Sequence, residues 1–165
     1  MGNWTLVEKI KRTIAKLGGF YAVRIFWKVS KYKKSRARAI VLNEDRSKIL
    51  LVKNITYKSF HLPGGGIEAG ESEEDAIVRE VREELGVEIN ILYTLGRYWY
   101  QKNDKYVDIF VTQTTATDFK MQWELDEASW FPLTQLPELR KTTRQTLRDF
   151  FAHHEPVSGT WEIED

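Results

Sequence analysis

The 165-residue chain contains no cysteine. That absence excludes disulfides, thiolate nucleophiles, and zinc or iron–sulfur centres built on cysteine. It suits a reducing setting such as the cytoplasm. Proline is scarce too, and none lies between Pro63 and Pro132. Long apolar runs are missing: no stretch approaches the roughly 18 uninterrupted apolar residues of a membrane span. Arg24 and Lys28 break up the most apolar part of the N-terminus, so a cleaved signal peptide is not expected. Acids are nearly absent from the first 38 positions, where Glu8 alone faces eleven lysines and arginines. That segment carries +10 in a chain whose total is +1, so the remainder carries −9. Two parts so opposed in charge do different jobs or dock on each other.

What is present suffices for one domain with a core. The length is too short for two comfortable domains, and an apolar fraction of 42% argues against disorder. Residues 4–31 read as one or two helices, with Leu6, Val7, Ile10, Ile14 and Leu17 at helical spacing and Gly18–Gly19 breaking the run. Lys31 to Arg38 reads as a solvated basic connector. Ala39–Leu42, a turn at Asn43–Arg46, and Ile49–Val52 then read as a β-hairpin. Later strands are expected at Glu88–Tyr100, Tyr106–Thr114 and Glu124–Phe131, with a turn at Lys102–Lys105. A last helix is expected over about Thr142 to His153, where Leu147, Phe150 and Phe151 supply the apolar side. Glu155 to Asp165 reads as a loose acidic tail.

The densest chemistry lies in Gly64 to Val87, GGGIEAGESEEDAIVREVREELGV. A helix over about Glu73–Leu85 stacks Ile77, Val81 and Leu85 on one stripe. Glu80, Glu83 and Glu84 fall on an adjacent stripe at i,i+3 and i,i+4 spacing, so their carboxylates are expected to converge. Such a crowd calls for a cation, and hard oxygen donors favour Mg²⁺ or Mn²⁺. The preceding glycines allow close backbone approach to a ligand and positive φ. A diphosphate bound through the metal is the natural substrate of such a site.

Gly65, five residues, Glu71, seven residues, then Arg79-Glu80-Val81-Arg82-Glu83-Glu84-Leu85-Gly86-Val87 resembles the Nudix box at every defined position. Phe60-His61-Leu62-Pro63-Gly64-Gly65 is similar to the family's entry into the box. Asp126 to Leu133, ending at Leu136-Pro137, is similar to its late strand and turn. The resemblance covers roughly residues 37–152. It implies an α/β fold, the Nudix α/β/α sandwich with a mixed sheet, here with a basic helical N-terminal extension. The expected division is an extension over 1–36, the Nudix domain over 37–154, and the acidic tail over 155–165.

The resemblance further implies that Glu80, Glu83 and Glu84 are ligands to Mg²⁺, with the Gly64 carbonyl a further one. Glu68 stands where members using more than one metal place another carboxylate. Arg79 would pair with Glu71 to hold the loop against the helix. A glutamate outside the box would supply another ligand or the general base, and Glu124 and Glu127 are both candidates. The implied reaction is attack of water on a phosphorus of a nucleoside diphosphate linked to another group. Among substrates, nucleoside triphosphates or nucleotide sugars are favoured by elimination. The downstream proline of ADP-ribose-type members is missing, and the entry differs from the Phe-Pro-Gln-Gly-Gly form of RNA-pyrophosphohydrolase relatives.

Plainer explanations compete for single residues. An acidic helix face is usually just solvated, and Glu73, Glu74 and Asp75 are read that way, as first-turn acids favouring the helix dipole. His61, His153 and His154 form no ligand set, although His61 lies near the expected mouth of the site. Ser59, Ser72 and Thr112 lack a paired base, so nucleophilic catalysis has no support. Trp99 is a candidate for stacking on a nucleobase, whereas Trp130 reads as core. The basic N-terminus is read first as packing on the acidic body or as a homodimer contact. Its other readings are an amphipathic helix on an anionic membrane and an aid to holding RNA or a phosphorylated ligand. An isomerase of isoprenoid diphosphates would need a cysteine that this chain lacks. A non-catalytic nucleotide-binding or regulatory module is the alternative to a hydrolase, and an intact Glu80–Glu83–Glu84 set argues against it.

Overall fold

A computed structural model describes residues 35–56, 58–100 and 105–152, together with the backbone of 160–162. The expected N-terminal helices, the turn residues 102–104, His153, His154 and most of the acidic tail lie outside the described residues. Strand β1 spans Ser35–Leu42 and β2 spans Lys48–Asn54. Helix α1 covers Glu73–Leu85, followed by β3 at Asn90–Tyr100, β4 at Lys105–Gln113 and β5 at Leu125–Pro132. Helix α2 covers Lys141–Ala152, and a short β6 covers Thr160–Glu162. The six strands form one mixed sheet in the order β5-β2-β1-β4-β3-β6. No described helix is long and apolar enough to cross a membrane.

Alternation along the strands builds two apolar layers. Ala37, Ala39 and Val41 of β1 join Leu50, Val52 and Phe110 beneath Ala76, Ile77, Val81 and Leu85 of α1. On the other face Ile40 and Leu42 join Ile49, Leu51, Ile109 and Val111 beneath Leu147 of α2. The result is an α/β/α sandwich. Tyr98 is fully buried in the α2 layer and its hydroxyl donates to Asp149 at 3.1 Å, tying β3 to α2.

Helix α1 has locally encoded ends. The Ser72 hydroxyl accepts from the Asp75 N–H at 3.0 Å, and Gly86 closes the helix at φ 67° with its N–H bonded to the Arg82 carbonyl. Arg97 on β3 then donates to Asp108 of β4 at 2.6 Å and to Glu73 at 2.8 Å, pinning the start of α1 to the sheet.

The structure corrects two readings. Ser35–Arg38 is not a solvated connector but the first half of β1, in parallel register with Tyr106–Ile109. The charges of Arg36 and Arg38 masked an alternation with Ala37 and Ala39, two alanines that are fully buried. At the other end, Thr160–Glu162 is not loose: it pairs in parallel with Arg97–Trp99, using the open edge of β3.

Candidate active site

Strands β1 and β2 are paired only where the hairpin closes, at Val41–Leu50 and Leu42–Ile49. Beyond that point they splay, and the glycine-rich segment fills the gap. Val52 exchanges backbone bonds with His61 at 2.8 and 3.0 Å, while Ala39 donates to the Pro63 carbonyl and Ala37 to the Gly65 carbonyl, each at 3.0 Å. The loop is thus threaded into the sheet, and it ends against α1.

Two glycines are required there. Gly64 has φ 123°, and a Cβ on it would collide with the Ala37 carbonyl and the Ile77 side chain. A Cβ on Gly65 would collide with the Glu80 carboxylate, so only a hydrogen separates that backbone from the acid. The Gly64 N–H donates to a Glu84 carboxylate oxygen at 2.8 Å. Burial pushes the Glu84 carboxyl up to about 7, opposed by Arg38 and the Gly64 bond and reinforced by Glu80 and Glu124. Glu124, in the turn before β5, is also raised, by burial and then by Glu80.

Glu80, Glu84 and Glu124 therefore feel one another's charge beside Gly64–Gly65. Glu127 stands apart, on β5, within 3.5 Å of Lys53 and bonded by the Ser129 hydroxyl. Between the two glutamates outside the box, Glu124 is the one coupled to the helix carboxylates.

Arg79 holds the loop to the helix. It grips Glu71 through two nitrogens at 2.6 and 2.8 Å and donates to the Gly66 carbonyl at 3.0 Å. The Glu68 N–H donates to the same Glu71 carboxylate, while the Glu68 residue is exposed. A third Arg79 nitrogen lies 3.0 Å from Glu80 and 3.2 Å from Glu83. The acids do not converge as the helix spacing alone suggested. Among the described residues no three carboxylate or imidazole groups stand as a ready-made metal cage. Like charges at this spacing part unless a cation sits between them, and here Arg79 is that cation for Glu80 and Glu83, with Glu84 turned to the Gly64 amide.

The donors fit a hard divalent cation in kind. Glu80, Glu83, Glu84, Glu124 and the Gly64 carbonyl offer oxygen only, and the enclosed carboxylates repel one another in the absence of positive charge. The Gly64 carbonyl also accepts from Arg38, which donates to the Leu62 carbonyl as well. A carbonyl oxygen has a second lone pair, so Arg38 leaves room for another partner.

Arg38 is the residue that sequence reasoning missed. Burial lowers its pKa to about 10, against the support of Glu84. The period-two pattern Arg-Ala-Arg-Ala was the signal that could have placed it. His61 is buried, with Nδ1 3.0 Å from the Leu62 carbonyl, and it lines a cavity of about 240 Å³ together with Arg38 and Tyr100. Trp99, between Tyr98 and Tyr100 on β3, points to the opposite face of the sheet and does not line that cavity.

A box of this spacing, folded around a loop inserted between splayed strands, matches a known design. The sequence profile of the NUDIX domain covers residues 33–153. The chain belongs to the Nudix family. It is 33% identical over 114 residues to an ADP-ribose pyrophosphatase of Methanocaldococcus jannaschii, covering 65% of this chain and 68% of that protein. It is 32% identical over 115 residues to the m7GpppN-mRNA hydrolase of Saccharomyces cerevisiae, covering 65% of this chain but only 12% of the yeast protein. A crystal structure of an ADP-ribose pyrophosphatase from Streptococcus suis superposes with a TM-score of 0.63 at 26% identity, covering 80% of this chain and 100% of that one. The chain spans a third or less of the RNA pyrophosphohydrolase and the Pseudomonas aeruginosa NAD-capped RNA hydrolase that it also resembles.

Proposed function

We propose that this Nudix-family chain is a pyrophosphohydrolase that cleaves the diphosphate linkage of a nucleotide derivative with the help of Mg²⁺ or Mn²⁺. The observation that carries this reading is the contact of Glu80 with Gly65 and of Glu84 with the Gly64 N–H, with Glu83 adjoining through Arg79 and Glu124 near enough to feel the charge of Glu80. When bound, the cation supplies charge neutralisation for diphosphate oxygens and acidifies water. Glu80, Glu83, Glu84 and the Gly64 carbonyl are the groups that would hold it. Glu124, whose enclosed carboxyl is raised, is better matched than Glu127 to accept a proton from the attacking water. Arg79 and Glu71 fix the loop against the helix, so the acids keep their places as charge builds.

Substrate choice rests with groups outside the box. ADP-ribose, set aside above on a missing proline, returns as a candidate alongside nucleoside triphosphates and nucleotide sugars. Two relatives bearing that substrate's name align over most of their length. A non-catalytic role is disfavoured by the retention of every acid of the box. A cytoplasmic setting accords with the cysteine-free composition.

The test is a Mg²⁺-dependent hydrolysis screen over nucleoside triphosphates, nucleotide sugars, ADP-ribose, dinucleoside polyphosphates and capped RNA. Glu83 is half exposed, so Glu83→Gln is expected to keep the thermal transition while turnover falls at least about 100-fold, the scale of losing one electrostatic group at a reaction centre. Full turnover in that variant would sink the assignment.

A further inference from the structure

We propose that the preferred substrate carries a phosphate group beyond the scissile diphosphate, and that a basic cavity at the α2-facing end of the sheet receives it. The proposal rests on the hydrolase reading of the carboxylate site. On the α2-facing side, β1 reads Leu42, Ile40, Arg38, Arg36, and β4 beside it reads Val111, Ile109, Val107, Lys105. The two strands are parallel, with Arg38 beside Ile109 and Arg36 beside Val107, and Lys105 follows one step further towards the same end of the sheet. Where the core stops, positive charge begins.

The cavity opens at that boundary, with a volume of about 240 Å³. Arg36, Arg38, Lys105 and Arg140 line it, and no acid does among the described residues. Thr142 and Thr143 add hydroxyls from the first turn of α2, a turn that itself contains no acid. Arg38, Arg140 and Arg36 all act on His61, which burial first and then their charges hold down to about 3. The three guanidinium groups are thus gathered around one enclosed imidazole. Guanidinium forks and hydroxyls are the donors that phosphate oxygens accept.

Two features favour a phosphate over a nucleobase. Among the described residues the rings of the lining are Tyr100 and the buried His61, outnumbered by its four cationic side chains. The space is also below the roughly 300–1,000 Å³ of sites that take whole drug-sized ligands. Arg38 joins the two sites, since it lines the cavity while donating to the Gly64 carbonyl. A diphosphate at Gly64–Gly65 and a further phosphate in the cavity would lie on either side of one side chain.

The full-length protein can be tested with substrate pairs that differ by a single phosphate monoester, coenzyme A against dephospho-coenzyme A and NADP against NAD. The wild type is expected to favour the phosphorylated member at least tenfold in kcat/KM. Lys105→Ala and Arg140→Ala are expected to erase that preference through KM, leaving the other member's turnover unchanged, while Arg140→Lys retains most of it. In parallel, binding of inorganic tripolyphosphate in metal-free buffer is measured by calorimetry, with a loss of at least tenfold expected in both alanine variants. Equal tripolyphosphate binding by wild type and variants, or none by any of them, overturns the cavity proposal. So does an absence of preference in the wild type where both members are turned over. Lost tripolyphosphate binding in the variants with no hydrolysis of any compound leaves the cavity standing and removes the hydrolase reading instead.

Discussion

Each residue of the site is set by what it can neither exceed nor give up in size. Gly64 and Gly65 lie against the Ala37 carbonyl and the Glu80 carboxylate, at separations that a methyl group would violate. His61 shows the same enclosure acting on charge. Buried beside three arginines, its imidazole is held neutral down to about 3, whereas in an unfolded chain it protonates near 6.5. Below about 6.5 the unfolded chain binds a proton that the folded chain refuses, so this contribution to stability is complete above that pH and lost as pH falls towards 3. The slope from His61 alone is at most about 1.4 kcal/mol per pH unit. Denaturant melts of wild type and His61→Gln between pH 7 and 4 are therefore expected to converge as the pH drops, and parallel curves would refute the argument.

At the scale of elements, α1 is specified almost entirely within itself. Ser72, the acids Glu73, Glu74 and Asp75, the Ile77–Val81–Leu85 stripe and Gly86 write its start, its buried face and its stop. Its bounds, Glu73–Leu85, are those read from the sequence. Ser72→Ala is expected to destabilise the protein by about 1 kcal/mol through loss of the cap, and Ile77→Ala by about 2–5 kcal/mol through the cavity it leaves. Denaturant midpoints measure both, and equal losses would mean that the cap does more than close one helix end. Strand β1 behaves oppositely. Its first half carries Arg36 and Arg38, whose charges resemble a solvated connector until β4 and the inserted loop supply partners on both sides. The Arg97 link between Asp108 and Glu73 is likewise invisible locally, since it joins three elements.

At the scale of the whole molecule, the described buried members of the two apolar layers lie between Ala37 and Leu147. A chain beginning at Ser35 is expected to unfold in one cooperative transition and to retain Mg²⁺-dependent turnover; an aggregated or non-cooperative product would show that the core extends into that segment.

By itself the sequence determined the family, the sandwich, α1 and the positions of the box acids along it, because the box acts through spacing along one helix and one loop. Spacing within about 20 residues is preserved whatever the rest of the chain does. Only the tertiary structure decided that Glu124 rather than Glu127 shares the field of Glu80 and Glu84. It alone turned Arg38 inward to Gly64, and gathered Arg36, Lys105 and Arg140 at one cavity. Those placements follow from strand register and from the splay of β1 and β2. Both bring together residues tens of positions apart, and the local alternation of Arg36 to Ala39 marks a strand without recording what its arginines meet.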